Sequence, residues 1–177
     1  MKKVIIPAVL AFAAVFTTGC ASGRIHEKSY LRAAAVSCEN GTEAVFSLFS
    51  EKDAVSGKGA DIDLAGADAE LKNGKEIFTG YTELIIVDGR ECRELLGHLL
   101  AKWKVSPSCR VVYCEKGGEL LAEHDAEQLI GISEQAVKQG IAPESDIITV
   151  LGELCDDGSA LVAELCADGT ASSHIIY

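Results

Sequence analysis

A change of hydrophobic period within residues 74–103 constrains the fold more than any other feature of this sequence. Residues 84–87 (LIIV) are apolar on both faces, which is typical of a central strand covered by helices on two sides. After Asp88 and Gly89 the apolar residues recur every three or four positions, as along one stripe of an amphipathic helix. That stripe consists of Cys92, Leu95, Leu96, Leu99, Leu100 and Trp103. The segment therefore predicts a buried strand followed by a helix that packs against a sheet.

A second strand follows this helix and completes a βαβ unit. Pro107 interrupts the helical pattern, and residues 109–114 (CRVVYC) form the next apolar run. A strand at 84–87, a helix at 90–104 and a strand at 109–114 together predict a parallel pair. Cys109 and Cys114 lie five positions apart on one strand, so we expect them to face opposite sides of the sheet.

The flanking segments predict a hairpin at each end of the domain. Residues 30–37 and 43–50 surround Asn40-Gly41, the strongest short-range signal for a β-hairpin. Residues 56–59 (SGKG) are interpreted as a flexible turn. Residues 146–155 and 159–166 surround the turn sequence Asp156-Asp157-Gly158 and predict a second hairpin. A short last strand is expected at 172–177.

Two further helices are expected from capping residues and apolar spacing. The first begins at Asp61 or Asp63 and ends at Asn73-Gly74. Its predicted inward positions are Ala60, Leu64, Ala67 and Leu71. The second helix has Asp125 as its cap, with Gln128 completing a capping box, and ends at Gly140. Its apolar face consists mainly of Leu129, Ile132, Ala136 and Val137. We therefore expect an α/β fold, with α+β as the alternative: a mixed sheet with a central βαβ unit, two terminal hairpins and three helices.

The first 20 residues have the pattern of a bacterial lipoprotein signal. Lys2 and Lys3 precede an apolar run at 4–16, which is too short to span a bilayer core of ~30 Å. Gly19-Cys20-Ala21 then resembles a lipobox, which implies a diacylglyceryl group on the Cys20 sulfur and cleavage before it. The alternative is an ordinary signal peptide with a chance cysteine. The predicted division is a signal peptide at 1–19, a lipidated tether at 20–29 and a single globular domain at 30–177.

Charge limits the partners of the mature chain. Removal of residues 1–19 takes away Lys2 and Lys3, which reduces the 16 basic residues to 14 against 27 acidic ones, a net charge of −13. Such a surface repels phosphate backbones and anionic lipid head groups. Nucleic acid is therefore excluded as a partner, and the lipid anchor is the expected link to the membrane.

The remaining cysteines and possible ligand motifs do not define a site. An even number of cysteines in an exported chain permits disulfides, and the sequence leaves their state open. These cysteines are Cys38, Cys92, Cys109, Cys114, Cys155 and Cys166. Residues 61–66 match part of a calcium loop, but Ala65 and Lys72 replace two ligands, so a capped helix start is favoured. His98 is expected on the solvent side of its helix, and His124-Asp125 at a helix start. We predict no catalytic residue, cofactor or metal.

Four residues are explained by neither helix nor strand period. Gly80 and Tyr81 precede the buried strand, and Asp88 and Gly89 follow it. Because packing does not account for these residue types, we predict that a partner contact lies at Gly80, Tyr81, Asp88 and Gly89.

The spacing of several short motifs resembles the N-terminal domain of the Ger(x)C spore germination lipoproteins. The motifs are Gly57-Lys58-Gly59-Ala60-Asp61-Ile62, Gly74-Lys75-Glu76-Ile77-Phe78-Thr79-Gly80-Tyr81 and Leu84-Ile85-Ile86-Val87-Asp88-Gly89. A fainter likeness extends from the lipobox to Ile147, including residues 140–143. The family pattern similarly has a Gly-x-Gly helix entry, a Gly-Lys segment and an apolar strand.

The resemblance implies a non-enzymatic function. A member of this family is a lipid-anchored subunit, or an accessory, of a germinant receptor complex on the extracytoplasmic face of the cell membrane, the inner membrane in a spore. Its partners are the polytopic A- and B-type receptor subunits, and only Cys20 is transferred as a site. The alternative is a stand-alone extracytoplasmic lipoprotein that binds a small solute or peptide.

Overall fold

The chain folds into a mixed sheet with helices on both faces, as the α/β prediction requires. The computed structural model of the protein describes residues 27–39, 41–49, 54–166 and 170–177. The strands in these ranges are β1 (Lys28–Ser37), β2 (Thr42–Leu48), β3 (Val55–Gly59), β4 (Glu76–Phe78), β5 (Leu84–Val87), β6 (Arg110–Tyr113), β7 (Ala160–Leu165) and β8 (Ala171–Ile176). The helices are α1 (Ile62–Asn73), α2 (Cys92–His98), continued by a π-helical turn (Leu99–Trp103), α3 (Gly117–Glu123), α4 (Ala126–Lys138) and α5 (Ile147–Asp156).

The sheet has a parallel centre with antiparallel strands at both margins. Its order is β3-β2-β1-β5-β6-β7-β8, and β4 pairs with the start of β1. Strands β1, β5, β6 and β7 are parallel to one another, whereas β2, β3 and β8 run antiparallel to their neighbours. This arrangement confirms the central βαβ unit, because the parallel strands β5 and β6 are connected by α2 and the π-helical turn. Strand β5 is buried along its whole length.

The N-terminal hairpin is confirmed, but the predicted turn at residues 56–59 is wrong. This segment belongs to the edge strand β3, which pairs with β2. Its glycines are required by a close approach to α1, because a Cβ added at Gly57 would lie 1.9 Å from the Ala65 carbonyl oxygen. At Gly59 an added Cβ would lie 2.5 Å from the Leu64 Cβ. Glycine in this strand therefore permits contact between strand and helix backbones.

Helix α1 has the predicted ends but presents a different face to the core. The Asp61 carboxylate accepts a hydrogen bond of 2.8 Å from the Leu64 N–H, and Gly74 ends the helix with a φ of +73°. Leu64 and Leu71, predicted to point inward, are exposed by 54% and 82%. The buried residues are Ile62, Ala65 and Ala69. Small side chains of α1 face β3, because Gly57 and Gly59 allow the two backbones to approach closely.

The C-terminal part contains the largest error in the predicted elements. Residues 146–155 form helix α5 instead of a strand, with Asp146 accepting hydrogen bonds from the Ile148 and Thr149 N–H groups. One face of α5 buries Ile147, Val150 and Leu154. The C-terminal hairpin is formed instead by β7 and β8, so the last strand predicted at 172–177 is its second arm.

The predicted number of three helices is also wrong, because α3 and α5 were not anticipated. Helix α3 begins at Gly117, where an added Cβ would lie 2.6 Å from the Ile86 Cγ2 of β5. Helix α4 has the predicted Asp125 cap, whose carboxylate accepts a hydrogen bond from the Glu127 N–H, and Gly140 follows its end with a φ of +70°.

Two apolar layers fill the space between sheet and helices. Helices α1, α2 and α5 cover one face of the sheet, and α3 and α4 cover the other. Cys109 contacts the first layer and Cys114 the second, which confirms that they face opposite sides. Strand β1 begins at Lys28, two residues before the predicted domain start. Among the described residues, no helix has the length and apolar character needed to cross a membrane.

Candidate functional site

The four predicted contact residues lie at opposite ends of β5 and do not form one surface. Gly80 and Tyr81 belong to the loop that precedes β5, at the amino ends of the parallel strands. Asp88 and Gly89 belong to the loop that follows β5, at the carboxyl ends. The two ends differ in how far their side chains are already engaged within the domain.

At the amino end, three aromatic rings form a closed triangle. The centroid distances are 5.6 Å between Tyr30 and Phe78, 5.8 Å between Tyr30 and Tyr81, and 5.5 Å between Phe78 and Tyr81. Tyr30 is half-buried, whereas Phe78 is exposed by 38% and Tyr81 by 61%. The two pairs that involve Phe78 are edge-to-face and the Tyr30–Tyr81 pair is tilted, arrangements that aromatic rings favour at these distances. Gly80 leaves room for this packing, since an added Cβ would lie 2.8 Å from the Phe78 Cζ.

At the carboxyl end, the Asp88 carboxylate joins the ends of β1 and β5. Its Oδ2 accepts hydrogen bonds from the Ser37 hydroxyl at 2.8 Å and from the Cys38 N–H at 3.0 Å. Its Oδ1 accepts a hydrogen bond from the Arg90 N–H at 3.0 Å. Gly89 has a φ of +84°, a conformation that glycine adopts without strain. Loop closure therefore accounts for both residue types, and a partner contact here stays a prediction.

A cleft between α1 and the π-helical turn was not anticipated from the sequence. The Trp103 Nε1 donates a hydrogen bond of 2.8 Å to the Asp63 Oδ1, and the His98 Nε2 lies 2.8 Å from the same oxygen. The hydrogen bond from Trp103, followed by that from His98, lowers the pKa of Asp63 below its ordinary value. The prediction that His98 only faces solvent is wrong, because its ring contacts this carboxylate.

The cleft has a volume of about 260 Å³ and contains charged and aromatic side chains. Asp63, Glu70 and Lys102 supply the charges, and the Trp103 ring forms part of the wall. The ring lies over Gly66, where an added Cβ would lie 3.0 Å from the Trp103 Cζ2. Acidic groups beside an aromatic face suit a ligand with a cationic group, and Lys102 suits an anionic one.

The cleft and the aromatic triangle are linked by the segment between β4 and β5. The Thr79 hydroxyl donates a short hydrogen bond to the Trp103 carbonyl oxygen. Thr79 directly follows Phe78, so the end of the π-helical turn and the aromatic triangle are held together. No sequence signal connects these residues, because the contact joins positions 24 residues apart.

The six cysteines in the described ranges are free thiols in the structure. Burial, with a further contribution from Asp88, raises the pKa of Cys92 to about 12, and burial with a contribution from Glu83 raises that of Cys109 to about 12. Burial also raises the pKa values of Cys38 and Cys114. Cys155 is exposed. A raised pKa lowers the thiolate fraction, so these buried thiols are weakly nucleophilic at neutral pH.

The predicted lipid site, Cys20, lies outside the described residues, as do the signal peptide at 1–19 and the tether up to residue 26. Comparisons of the chain with protein-family models, with curated proteins and with solved structures gave no match. The resemblance to the Ger(x)C lipoproteins therefore stays a prediction.

Proposed function

We propose that the chain is a lipid-anchored, non-enzymatic subunit or accessory of a spore germination receptor complex. In this role it lies on the extracytoplasmic face of the cell membrane, the inner membrane in a spore, attached through Cys20. Its partners are the polytopic A- and B-type receptor subunits. The proposal rests on the lipobox pattern and on the family resemblance of residues 57–62 and 74–89.

The observation that supports the proposal most directly is the short chain length between Cys20 and the folded domain. Strand β1 begins at Lys28, eight residues after Cys20. At an extended length of at most ~3.6 Å per residue, the start of β1 is within about 29 Å of the lipidated sulfur. A domain held this close to the bilayer is in reach of the extracytoplasmic loops of membrane-embedded partners.

Two of the three described histidines make contacts within the domain, which is compatible with the proposed non-enzymatic role. His98 contacts the Asp63 carboxylate, and His174 stacks on the Tyr113 ring with a centroid distance of 3.6 Å. Each contact accounts for the position of its histidine by packing or hydrogen bonding within the domain. The Asp88 carboxylate is similarly engaged by three donors.

Fatty-acid labelling and membrane fractionation test the lipid anchor. Cys20→Ala is expected to abolish incorporation of a labelled fatty acid and to release the protein from membranes. Cys155→Ala is the matched control, because this exposed cysteine lies far along the chain in α5. Unchanged labelling and membrane retention of Cys20→Ala would remove the lipoprotein part of the proposal.

Purification from detergent-solubilised spore membranes tests the receptor part. A tagged chain is expected to co-purify with A- and B-type receptor subunits, and to lose them when Cys20→Ala releases it from the membrane. Isolation of the lipidated protein without these subunits contradicts the receptor role and leaves the anchor standing.

The second candidate function is a stand-alone lipoprotein that binds a small solute or peptide. The cleft beside Trp103 favours it, because Asp63, Glu70 and Lys102 place charges of both signs around one small space. A zwitterionic solute is then expected to raise the melting temperature of the parent protein and to leave the melting temperature of Lys102→Ala unchanged. An equal shift in both proteins contradicts binding in this cleft.

A further inference from the structure

Exposed apolar rings are concentrated where the chain enters the domain. Phe78 and Tyr81 expose 38% and 61% of their surface to solvent. Tyr30, the third residue of β1, contacts both rings. Residues Lys28–Tyr30 pair with Glu76–Phe78 in the parallel register of β1 and β4. The aromatic triangle is therefore fixed to the first three residues of β1.

Two further exposed side chains lie at the same end. Leu71, exposed by 82%, belongs to the last turn of α1, whose final residue Asn73 donates a hydrogen bond to the Ser29 hydroxyl oxygen at 2.9 Å. Phe49, exposed by 45%, follows β2, and its N–H donates to the Tyr30 carbonyl at 3.0 Å. We call Phe49, Leu71, Phe78 and Tyr81 the apolar end.

The attachment point makes the apolar end the part of the domain closest to the bilayer along the chain. It surrounds residues 28–30, the part of the described domain that lies nearest to Cys20 along the chain. The carboxyl end of β1 is nine residues further on, or about 30 Å at the rise of a β-strand. With Cys20 lipidated, the apolar end is thus the end tethered closest to the bilayer.

Charged groups near the apolar end are largely paired. The Lys28 Nζ lies 2.8 Å from the Glu76 Oε1, and Arg32 contacts Glu83 at 3.0 Å and Glu127 at 3.2 Å. These pairs leave no excess of positive charge among the named groups, and the mature chain is acidic as a whole. A zwitterionic lipid surface fits this end better than an anionic one.

We propose that the apolar end lies in the interfacial region of the bilayer and orients the domain upright on its lipid anchor. Tyrosine is enriched in this region, because its apolar ring and polar tip are accommodated at once, and the Phe and Leu side chains gain by burying apolar surface there. Phe78 and Tyr81 are already exposed, so the ring triangle needs no rearrangement to enter it. The inference rests on the proposed lipid anchor and adds the surface through which lipid is contacted.

Quenching by brominated lipids tests this orientation. The lipidated full-length protein is reconstituted into phosphatidylcholine vesicles that have bromine on their acyl chains, and the reporters Tyr81→Trp and Phe78→Trp are compared with the parent. The parent, whose single tryptophan is Trp103, supplies the background signal. Lys116→Trp is the control, since Lys116 is exposed in the loop after β6 at the carboxyl end of the sheet.

The expected result is a blue-shifted, strongly quenched emission from the reporters at 78 and 81, with no quenching above background from Lys116→Trp. Equal quenching at the two ends, in vesicles that retain the protein, overturns the inference while the lipid anchor stands. Loss of fatty-acid labelling is a different failure, because it removes the anchor itself. A photoreactive group at position 81 that captures a polytopic protein in native membranes also overturns the inference.

Discussion

The amino and carboxyl ends of the parallel strands differ in how far their side chains are hydrogen-bonded or packed within the domain. At the carboxyl end of β1 and β5, one carboxylate accepts three hydrogen bonds and closes the loop. At the amino end, Phe78 and Tyr81 stay exposed although their rings contact each other. Open α/β sheets commonly bind ligands at the carboxyl ends of their strands. Here the exposed rings of Phe78 and Tyr81 lie at the amino end, which adjoins the predicted anchor.

Removal of the Asp88 carboxylate should have the largest effect, because it leaves three donors without their acceptor. Asp88→Ala is expected to lower the free energy of unfolding by ~2–3 kcal/mol, since the partly buried Ser37 hydroxyl and Cys38 N–H each lose ~1 kcal/mol or more, whereas the exposed Arg90 N–H can bond to water. Chemical denaturation measures this loss. Asp156→Ala, at an exposed position in α5, should change stability by less than ~0.5 kcal/mol. Equal effects of the two substitutions would show that the carboxyl end is not held by Asp88.

Alkaline pH should weaken the carboxyl end through Cys92. The pKa of this thiol is raised to about 12 in the folded protein, above its unfolded value of ~8.5. Its stabilising contribution is therefore complete below pH ~8.5 and is lost as the pH rises toward 12. Between pH ~10 and ~11 the free energy of unfolding should fall with pH more steeply in the parent than in Cys92→Ala. The expected difference between the two slopes is about 1.4 kcal/mol per pH unit.

Denaturation at a series of pH values measures these slopes. Cys155→Ala is the control, because it removes an exposed thiol and leaves Cys92 in place. Identical slopes for the parent and Cys92→Ala would contradict a protonated buried thiol at this position.

Two glycine substitutions compare the rigidity of the two ends. At Gly117 an added Cβ meets Ile86, which is buried in the core, so Gly117→Ala should lower the free energy of unfolding by ~1–2 kcal/mol. At Gly80 it meets the outer edge of the Phe78 ring, which has room to move, so the loss should be below ~1 kcal/mol. Thermal unfolding ranks the two variants, and the reverse order would contradict the comparison.

Gly131→Ala is the reference for the substitutions at Gly117 and Gly80. Gly131 lies within α4 and has open space around an added Cβ, so alanine should raise stability by ~0.5–1 kcal/mol through helix propensity alone.

Tyr81→Ala should have the smallest effect on stability. Its ring is mostly exposed, so truncation should lower the free energy of unfolding by less than ~1 kcal/mol despite two lost ring contacts. Denaturation with guanidinium measures the change. A loss above ~2 kcal/mol would show that Tyr81 is a core residue and that the amino end is as firmly packed as the carboxyl end.

Elements whose information is local could be predicted from the sequence. The β5 run and the Asp125 cap each depend on a few neighbouring residues, and both are found where expected. The face of α1 could not be predicted, because Gly57 and Gly59 of another element determine it. Residues 146–155 were misassigned because Ile147, Ile148 and Val150 favour strands by type, while the Asp146 cap and the buried spacing favour a helix.

The candidate site shows the same limit. Tyr81 stood out because no period explained it, and it is indeed exposed. Its aromatic partners Tyr30 and Phe78 come from β1 and β4, which meet only through sheet pairing. The contact of Asp63 with His98 and Trp103 joins two helices across 35 and 40 positions. Pairs of this kind arise from tertiary packing, so the spacing of residues along the chain does not reveal them.

The π-helical turn at Leu99–Trp103 makes the length of this helix significant. A π-helical turn accommodates one residue more than the α-helix does. Because the extra residue fits within this one turn, deletion of one residue between Leu99 and Lys102 would restore a regular α-helix and leave the residues beyond it facing as they do now. If the present residues were instead wound as an α-helix, Trp103 would rotate by about 100° away from Asp63, and the cleft would lose one wall. A protein with an otherwise similar sequence but a helix one residue shorter is therefore expected to keep this cleft and the same sheet, with a regular α-helix in place of the π-helical turn.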